Sequence, residues 1–239
     1  MIPLEKQNRY RRLYGELRPG YRHSGQVYEG LLASRITPES RVLDAGCGRA
    51  GVIGLYKDKV KQAVGLDVDM ASLRDNVGLD QLVMGDLNHM PFADGCFDIV
   101  LCTWVVEHLE EPDLTFAELS RVLAKGGHLL ILTPNAWNYV VLINRLIRGR
   151  LQPFLARKVY GRREADTFPA FYRANTKSKL DEKLGRVGLR DEEFHHIGDP
   201  TYIAFNDLFF KLGMFLERLM DLRPLRSLKV HLVASYVKT

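Results

Sequence analysis

The run Val42-Leu43-Asp44-Ala45-Gly46-Cys47-Gly48-Arg49-Ala50-Gly51 limits the fold of this chain more than any other stretch. Its apolar start ends on an acid and passes into a turn with three glycines, the residue that lets backbone turn tightly and approach a ligand closely. A strand that enters such a turn and continues as a helix belongs to a sheet of strand–helix repeats. β-rich runs recur at 41–44, 62–66, 81–84, 97–102 and 128–133, separated by helical or loop segments, and again at 189–197 and 229–237. Parallel strands need crossover connections, so this order predicts an α/β fold with a doubly wound, mostly parallel, seven-stranded sheet.

Ahead of the first strand, Tyr28, Leu31, Leu32 and Ile36 fall at helical spacing until Thr37-Pro38 stops them. Residues 1–40 therefore read as an N-terminal helical cap over one sheet face, and 41–135 as the core that carries the glycine turn. Two helical insertions, 136–175 and 199–225, elaborate this single domain. Between them a helix is expected at 176–187, capped by Asn175 or Thr176 and closing near Gly188.

With 239 residues, 46% of them hydrophobic and 26% charged, the chain can bury a sizeable core. Its longest apolar stretch, 202–222, is interrupted by Asp207, Lys211, Glu217 and Arg218, short of the roughly 20 uncharged residues a bilayer crossing needs. Glu5, Lys6, Arg9, Arg11 and Arg12 leave no room for an apolar leader, so a cytoplasmic location is expected. Cys47, Cys96 and Cys102 are odd in number and lack metal-ligand spacing, which points to buried thiols. The formal charge of +5 permits acidic partners. No zinc-finger, arginine-glycine or aromatic ribonucleoprotein signature accompanies it, so no nucleic-acid partner is expected.

By themselves Gly46, Gly48 and Gly51, with Asp67 placed to bind ribose hydroxyls, fit a nicotinamide dinucleotide as well as another adenosine-containing ligand. The stretches that follow separate the two. Val64-Gly65-Leu66-Asp67, Gly85-Asp86-Leu87-Asn88, Met90-Pro91-Phe92, Phe97-Asp98-Ile99-Val100, Glu107-His108-Leu109 and Arg121-Val122-Leu123-Ala124-Lys125-Gly126-Gly127-His128-Leu129 occur in this order. Over residues 40–135 the chain thus resembles the class I, Rossmann-like S-adenosylmethionine-dependent methyltransferases, particularly the small-molecule branch related to ubiquinone-pathway enzymes.

The resemblance implies S-adenosylmethionine as cofactor and a small-molecule acceptor, expected to be a hydroxyl oxygen on a bulky or partly hydrophobic compound. An NAD(P)-dependent oxidoreductase and a non-catalytic cofactor-binding regulatory protein are the alternative readings. It also implies roles. Asp44 and the backbone of Gly46, Cys47, Gly48 and Gly51 would hold the amino-acid and adenosyl portion. Asp67, with Val68 beside it, would take the ribose hydroxyls in charge-assisted contacts. Asp86 would accept from the adenine amino group while Leu87 packs on the ring, and Thr103 and Trp104 would line the floor near the sulfonium.

His108 is the candidate general base for a hydroxyl acceptor, with Glu107 as its neighbour in the catalytic pair; the bland reading is that the two begin a helix and brace the cofactor floor. Some related oxygen methyltransferases carry Glu-x-x-Glu-His for a metal. Here Trp104 stands at the first acidic position, so no metal site is expected. The insertions would cover the acceptor. In the first, Arg145, Arg148, Arg150, Arg157, Lys158, Arg162 and Arg163 suit an anionic substrate, a peripheral membrane surface or a solvated helix face. In the second, Phe205, Leu208, Phe209, Leu212, Phe215, Leu216 and Leu219 form a stripe whose commonest explanation is core packing, with a lid, dimer face or interfacial membrane contact as the others. The sequence leaves the oligomeric state open.

Overall fold

The structure, a computed structural model, describes residues 3–139, 141 and 168–239. Seven strands, β1 (Arg41–Ala45), β2 (Gln62–Asp67), β3 (Gln81–Met84), β4 (Phe97–Thr103), β5 (Leu123–Pro134), β6 (Leu189–Ile197) and β7 (His231–Lys238), form one sheet. Their order is β3-β2-β1-β4-β5-β7-β6. β1 pairs in parallel with β2 and β4, β2 with β3, and β4 with β5. The chain starts in the middle, winds outward to β3 and returns to β4, which is the doubly wound arrangement expected. The central strands read as continuous apolar runs because both their faces are covered: Ile99 to Cys102 and Leu129 to Leu132 are all buried.

Six helices accompany the strands among the described residues: α1 (Leu4–Leu17), α2 (Ser24–Ala33), α3 (Met70–Arg74), α4 (Pro112–Val122), α5 (Lys177–Arg186) and α6 (Asp207–Leu219). In α4 a proline occupies the first turn, where its missing N–H costs nothing, and Phe116, Leu119 and Val122 are buried. Thr176 caps α5 by accepting from the Lys179 N–H, and Gly188 follows at φ +78°. β5 begins earlier than its apolar run suggests. Its pairing with β4 jumps from Phe97–Leu123 to Ile99–His128, and the intervening bulge turns on Gly126 at φ +75°. A Cβ on Gly127 would lie 2.8 Å from the Asp98 carbonyl oxygen, so this segment needs its glycines.

The chain divides into two compact units. One consists of Gly25–Thr133, Ala170–His195 and Val233–Thr239 and carries most of the sheet; the other consists of Met1–Ser24, Pro134–Pro169 and His196–Leu232. The stretch read as one N-terminal cap is therefore split, α1 going to the second unit. In the first unit the fully buried Tyr28 of α2 donates its hydroxyl to the Leu130 carbonyl at 3.3 Å and accepts from Thr103 Oγ1 at 3.0 Å.

In the second unit, Tyr10 of α1 stacks on Phe210 of α6 with ring centroids 4.5 Å apart. Arg11 pairs with Asp199 at 2.9 Å. The apolar stripe of α6 is not core: Leu208, Leu212, Phe215 and Leu219 are 38–73% exposed. The buried face is Phe210, Gly213 and Glu217 instead. Close approach decides this, because a Cβ on Gly213 would stand 2.7 Å from the Pro200 carbonyl oxygen. Most of the first insertion, with its basic residues from Arg145 to Arg163, lies outside the described residues. No described helix is long and apolar enough to cross a membrane.

Candidate functional site

Parallel register brings the expected residues together. Asp44 lies beside Gly65 of β2 and Leu101 of β4, Ala45 beside Leu66, and Asp67 beside Met84 of β3. The carboxyl ends of four strands are thus level at the point between β1 and β4 where the winding reverses, the place where open α/β sheets bind ligands.

The glycine turn is held by neighbours on every side. The Gly46 and Cys47 N–H groups both donate to the Leu66 carbonyl, at 2.8 and 3.1 Å. Gly46 sits at φ +79°, and a Cβ there would fall 2.4 Å from Val105 Cγ2. The Gly48 N–H donates to Asp67 Oδ2 at 2.8 Å, while Asn76 Nδ2 donates to the Gly48 carbonyl at 2.8 Å. A Cβ on Gly51 would stand 1.7 Å from Asp44 Oδ2, so that glycine is what gives the Asp44 carboxyl its room.

Asp44 is the electrostatic centre of the site. It is 1% exposed, and its Oδ2 has no hydrogen-bond partner among the described residues. Burial, and after it the charge of Asp67, pushes its carboxyl up to about 7. A buried carboxyl oxygen without a partner, behind a glycine turn, suits an incoming donor or cation. The half-buried Asp67 has each oxygen engaged once, Oδ2 by Gly48 and Oδ1 by the Asp69 N–H at 2.9 Å. A carboxylate has about four lone-pair sites, so both oxygens keep capacity for hydroxyl donors. Val68 beside it is exposed. The Cys47 thiol is buried and pushed up to about 12, chiefly by that burial, which makes it a small packing residue.

Asp86, just beyond β3, is exposed; its Oδ1 accepts from the Asn88 N–H at 2.9 Å, forming a turn beside the half-buried Leu87. At the end of β4, Thr103 bonds to Tyr28, and Trp104 takes a left-handed backbone at φ +58° with its side chain 39% exposed. The Trp104 N–H is held by the Leu132 carbonyl at 2.8 Å. A non-glycine residue held there by its surroundings marks a constrained position at the rim of the site.

Glu107 and His108 take different parts. Glu107 is buried, its carboxyl raised by that burial, and its Oε2 accepts from Thr133 Oγ1 at 2.9 Å. Thr133 in turn accepts from Asn175 Nδ2 at 2.6 Å. The Glu107 carbonyl accepts from the Phe171 and Tyr172 N–H groups, at 2.8 and 3.2 Å. Glu107 thereby joins the 171–175 segment to the end of β5. The half-buried His108 has Nε2 4.0 Å from Glu107 Oε1, beyond hydrogen-bond range. Tyr28, Asn76, Val105, Thr133 and Asn175 complete the site. Asn76 and Val105 carry no sequence signal at all, while Tyr28 and Asn175 stood out only as helix residues.

Residues 43–131 match the family described as a methyltransferase domain. A probable S-adenosylmethionine-dependent methyltransferase of Mycolicibacterium smegmatis is 35% identical over 39% of this chain and 38% of its own. The malonyl-[acyl-carrier protein] O-methyltransferase of Geobacter sulfurreducens is 36% identical over 41% of this chain and 39% of its own. The chain thus spans about two fifths of the length of these curated relatives. Among solved structures, the complex between the Haloferax volcanii Trm112 methyltransferase activator and the putative methyltransferase includes a chain with TM-score 0.62 and 16% identity, covering 99% of both chains. At that identity the likeness is one of fold.

Proposed function

We propose that this chain, a class I S-adenosylmethionine-dependent methyltransferase by its domain at 43–131 and its doubly wound sheet, moves the methyl group to a hydroxyl oxygen of a bulky, partly hydrophobic small molecule. The observation that carries the reading is the buried, unpartnered Asp44 Oδ2 behind the glycine turn, level with Asp67. These residues fit the cofactor's chemistry: an ammonium answers Asp44, and a ribose diol answers the free lone pairs of Asp67. Asp86 and Leu87 serve the adenine, and Thr103 and Trp104 the floor. When bound, S-adenosylmethionine supplies a methyl group already activated on a cationic sulfonium, so the protein's task is chiefly binding and orientation.

Within that task His108 accepts the acceptor's hydroxyl proton at a ring nitrogen. Glu107 acts as a positioning residue through Thr133 and Asn175. Insertions 136–175 and 199–225, which begin just past the ends of β5 and β6, recognise the acceptor. Support for an oxygen acceptor comes from the Geobacter relative, whose name specifies O-methylation. Calorimetry tests the donor half: S-adenosylhomocysteine binds and NAD does not, and selective NAD binding would restore the oxidoreductase. Methyl transfer from labelled donor to a panel of hydroxyl, amine and carbon acceptors tests the other half. Transfer confined to amines or carbon overturns the hydroxyl assignment, and transfer to none favours a cofactor-binding regulator.

A further inference from the structure

Helix α6 is apolar on its exposed face as well as on its buried one. Positions 208, 212, 215 and 219 succeed one another by four, three and four residues, one stripe of a helical surface, and they carry Leu, Leu, Phe and Leu, all exposed. On the opposite face, packed into the second unit, lie Phe210, Gly213 and the carboxyl of Glu217, the last 0% exposed. Burying a carboxyl while presenting leucines to water reverses the usual economy of a surface helix, and a contiguous apolar surface of this kind marks a contact site.

The charges around the stripe identify the partner. Lys211 and Arg218 project along one edge of it; both are exposed and neither has an acidic partner among the described residues. Exposed Arg223 and Arg226 follow the helix. The acids of the same segment are occupied or hidden: Asp207 accepts the Tyr10 hydroxyl at 2.6 Å, Asp221 is paired with Arg18 and Lys229, and Glu217 is buried. What remains is an apolar band with a basic edge, the pattern of a helix lying in the interface of an anionic bilayer. A second copy of this chain suits it less well, because the chain carries a net charge of +5 and would bring like-charged edges together.

We infer that α6 docks the protein peripherally on anionic membranes, its Leu212 and Phe215 side entering the headgroup boundary and Lys211 and Arg218 meeting lipid phosphates. This inference does not depend on the methyltransferase reading, since binding is measured without donor or acceptor.

The experiment is co-flotation of the full chain with vesicles of phosphatidylcholine alone and of phosphatidylcholine with phosphatidylglycerol. The wild type floats with the anionic vesicles and much less with the neutral ones. Leu212→Glu/Phe215→Glu abolishes flotation, and Lys211→Glu/Arg218→Glu lowers the partition coefficient by on the order of tenfold or more. Both variants change exposed residues, and unchanged thermal unfolding midpoints certify their folds. Absence of flotation with anionic vesicles overturns the inference. So does loss on charge reversal with no effect of Leu212→Glu/Phe215→Glu, which would mean adsorption by charge alone. Sedimentation equilibrium supplies the remaining outcome: a dimer that Leu212→Glu/Phe215→Glu dissociates assigns the stripe to a second copy instead.

Discussion

Asp44 and Glu217 are the same chemical device placed in two different surroundings. Each is a buried carboxyl pressed against a glycine, Gly51 in one case and Gly198 in the other, where an added Cβ would come within 1.7 and 1.6 Å of an oxygen. Each keeps one oxygen without a hydrogen-bond partner among the described residues, and burial pushes each up to about 7. The difference lies in what surrounds them. Asp44 has a second acid, Asp67, raising it further, and the carboxyl ends of strands β2 and β4 beside it. Glu217 also has acids, Asp199 and Asp221, raising it, but the nearby Lys229 charge lowers it and its Oε1 already accepts from the Asp199 N–H at 3.1 Å. It lines a cleft of about 270 Å³ with Tyr14, Tyr21 and Arg18. A buried acid behind turn glycines suits a cationic visitor, whereas one that a lysine already answers and that accepts from the Asp199 backbone is part of the packing.

The largest effect expected within the first region is chemical. His108→Ala should lower the single-turnover rate by about a hundredfold or more, the usual scale of general-base assistance, while S-adenosylhomocysteine affinity stays near that of the wild type. A wild-type rate removes His108 from the chemistry.

Next come the paired glycines. Gly51→Ala drives a methyl into the Asp44 carboxyl and should weaken S-adenosylhomocysteine binding by about tenfold to a hundredfold, the equivalent of ~1–3 kcal/mol of overpacking. Gly198→Ala meets the Glu217 carboxyl in the same way, yet should lower the unfolding midpoint and leave that affinity alone. Equal losses of affinity in the two variants would collapse the distinction between the regions.

A smaller effect is expected from Asp67→Ala, about tenfold in donor affinity with the fold retained, because it removes charge-assisted hydrogen bonds at one end of a ligand held at several points. Calorimetry on the variant measures it, and unchanged affinity takes Asp67 out of the site.

The smallest effect is on stability. The folded-state pKa of Glu217 is raised from 4.5 to about 7, so the protonated carboxyl favours the native state. Its contribution is full below 4.5 and is lost as pH rises through about 7. Glu217→Gln, nearly isosteric with the neutral acid, should flatten that part of the midpoint-versus-pH curve, and Asp44→Asn should flatten a similar part in the absence of ligand. Curves parallel to the wild type would show that neither acid titrates in this window.

Much of the candidate site was legible in order along the chain. Parallel strands place every βα turn at one rim, so finding Asp44, Asp67, Asp86 and Thr103 after successive apolar runs is nearly enough to bring them together. The partners were not legible. Asn76 reaches Gly48 from 28 residues away, and Val105 meets Gly46 only because β4 lies beside β1. Glu107 stood out only beside His108, while the partner its carboxyl takes, Thr133, lies 26 residues further on, where no local pattern records it. Periodicity likewise found the α6 stripe without its direction. A hydrophobic repeat records that one face differs from the other, not which of them the rest of the molecule covers.

Sequence alone determined the succession of strands, the sheet class, the glycine turn and the acids that follow it, because backbone conformation and side-chain period are local properties of consecutive residues. The helix expected after that turn is instead two 3-10 segments, Val52–Leu55 and Lys57–Lys59. Tertiary structure alone decided that Asp44 loses its solvent and gains a raised pKa, that Trp104 is held at positive φ, that residues 1–40 divide between two units, and that α6 turns its leucines outward. Each of those depends on distances between segments far apart in the chain, and burial, charge coupling and close approach exist only once those distances are set.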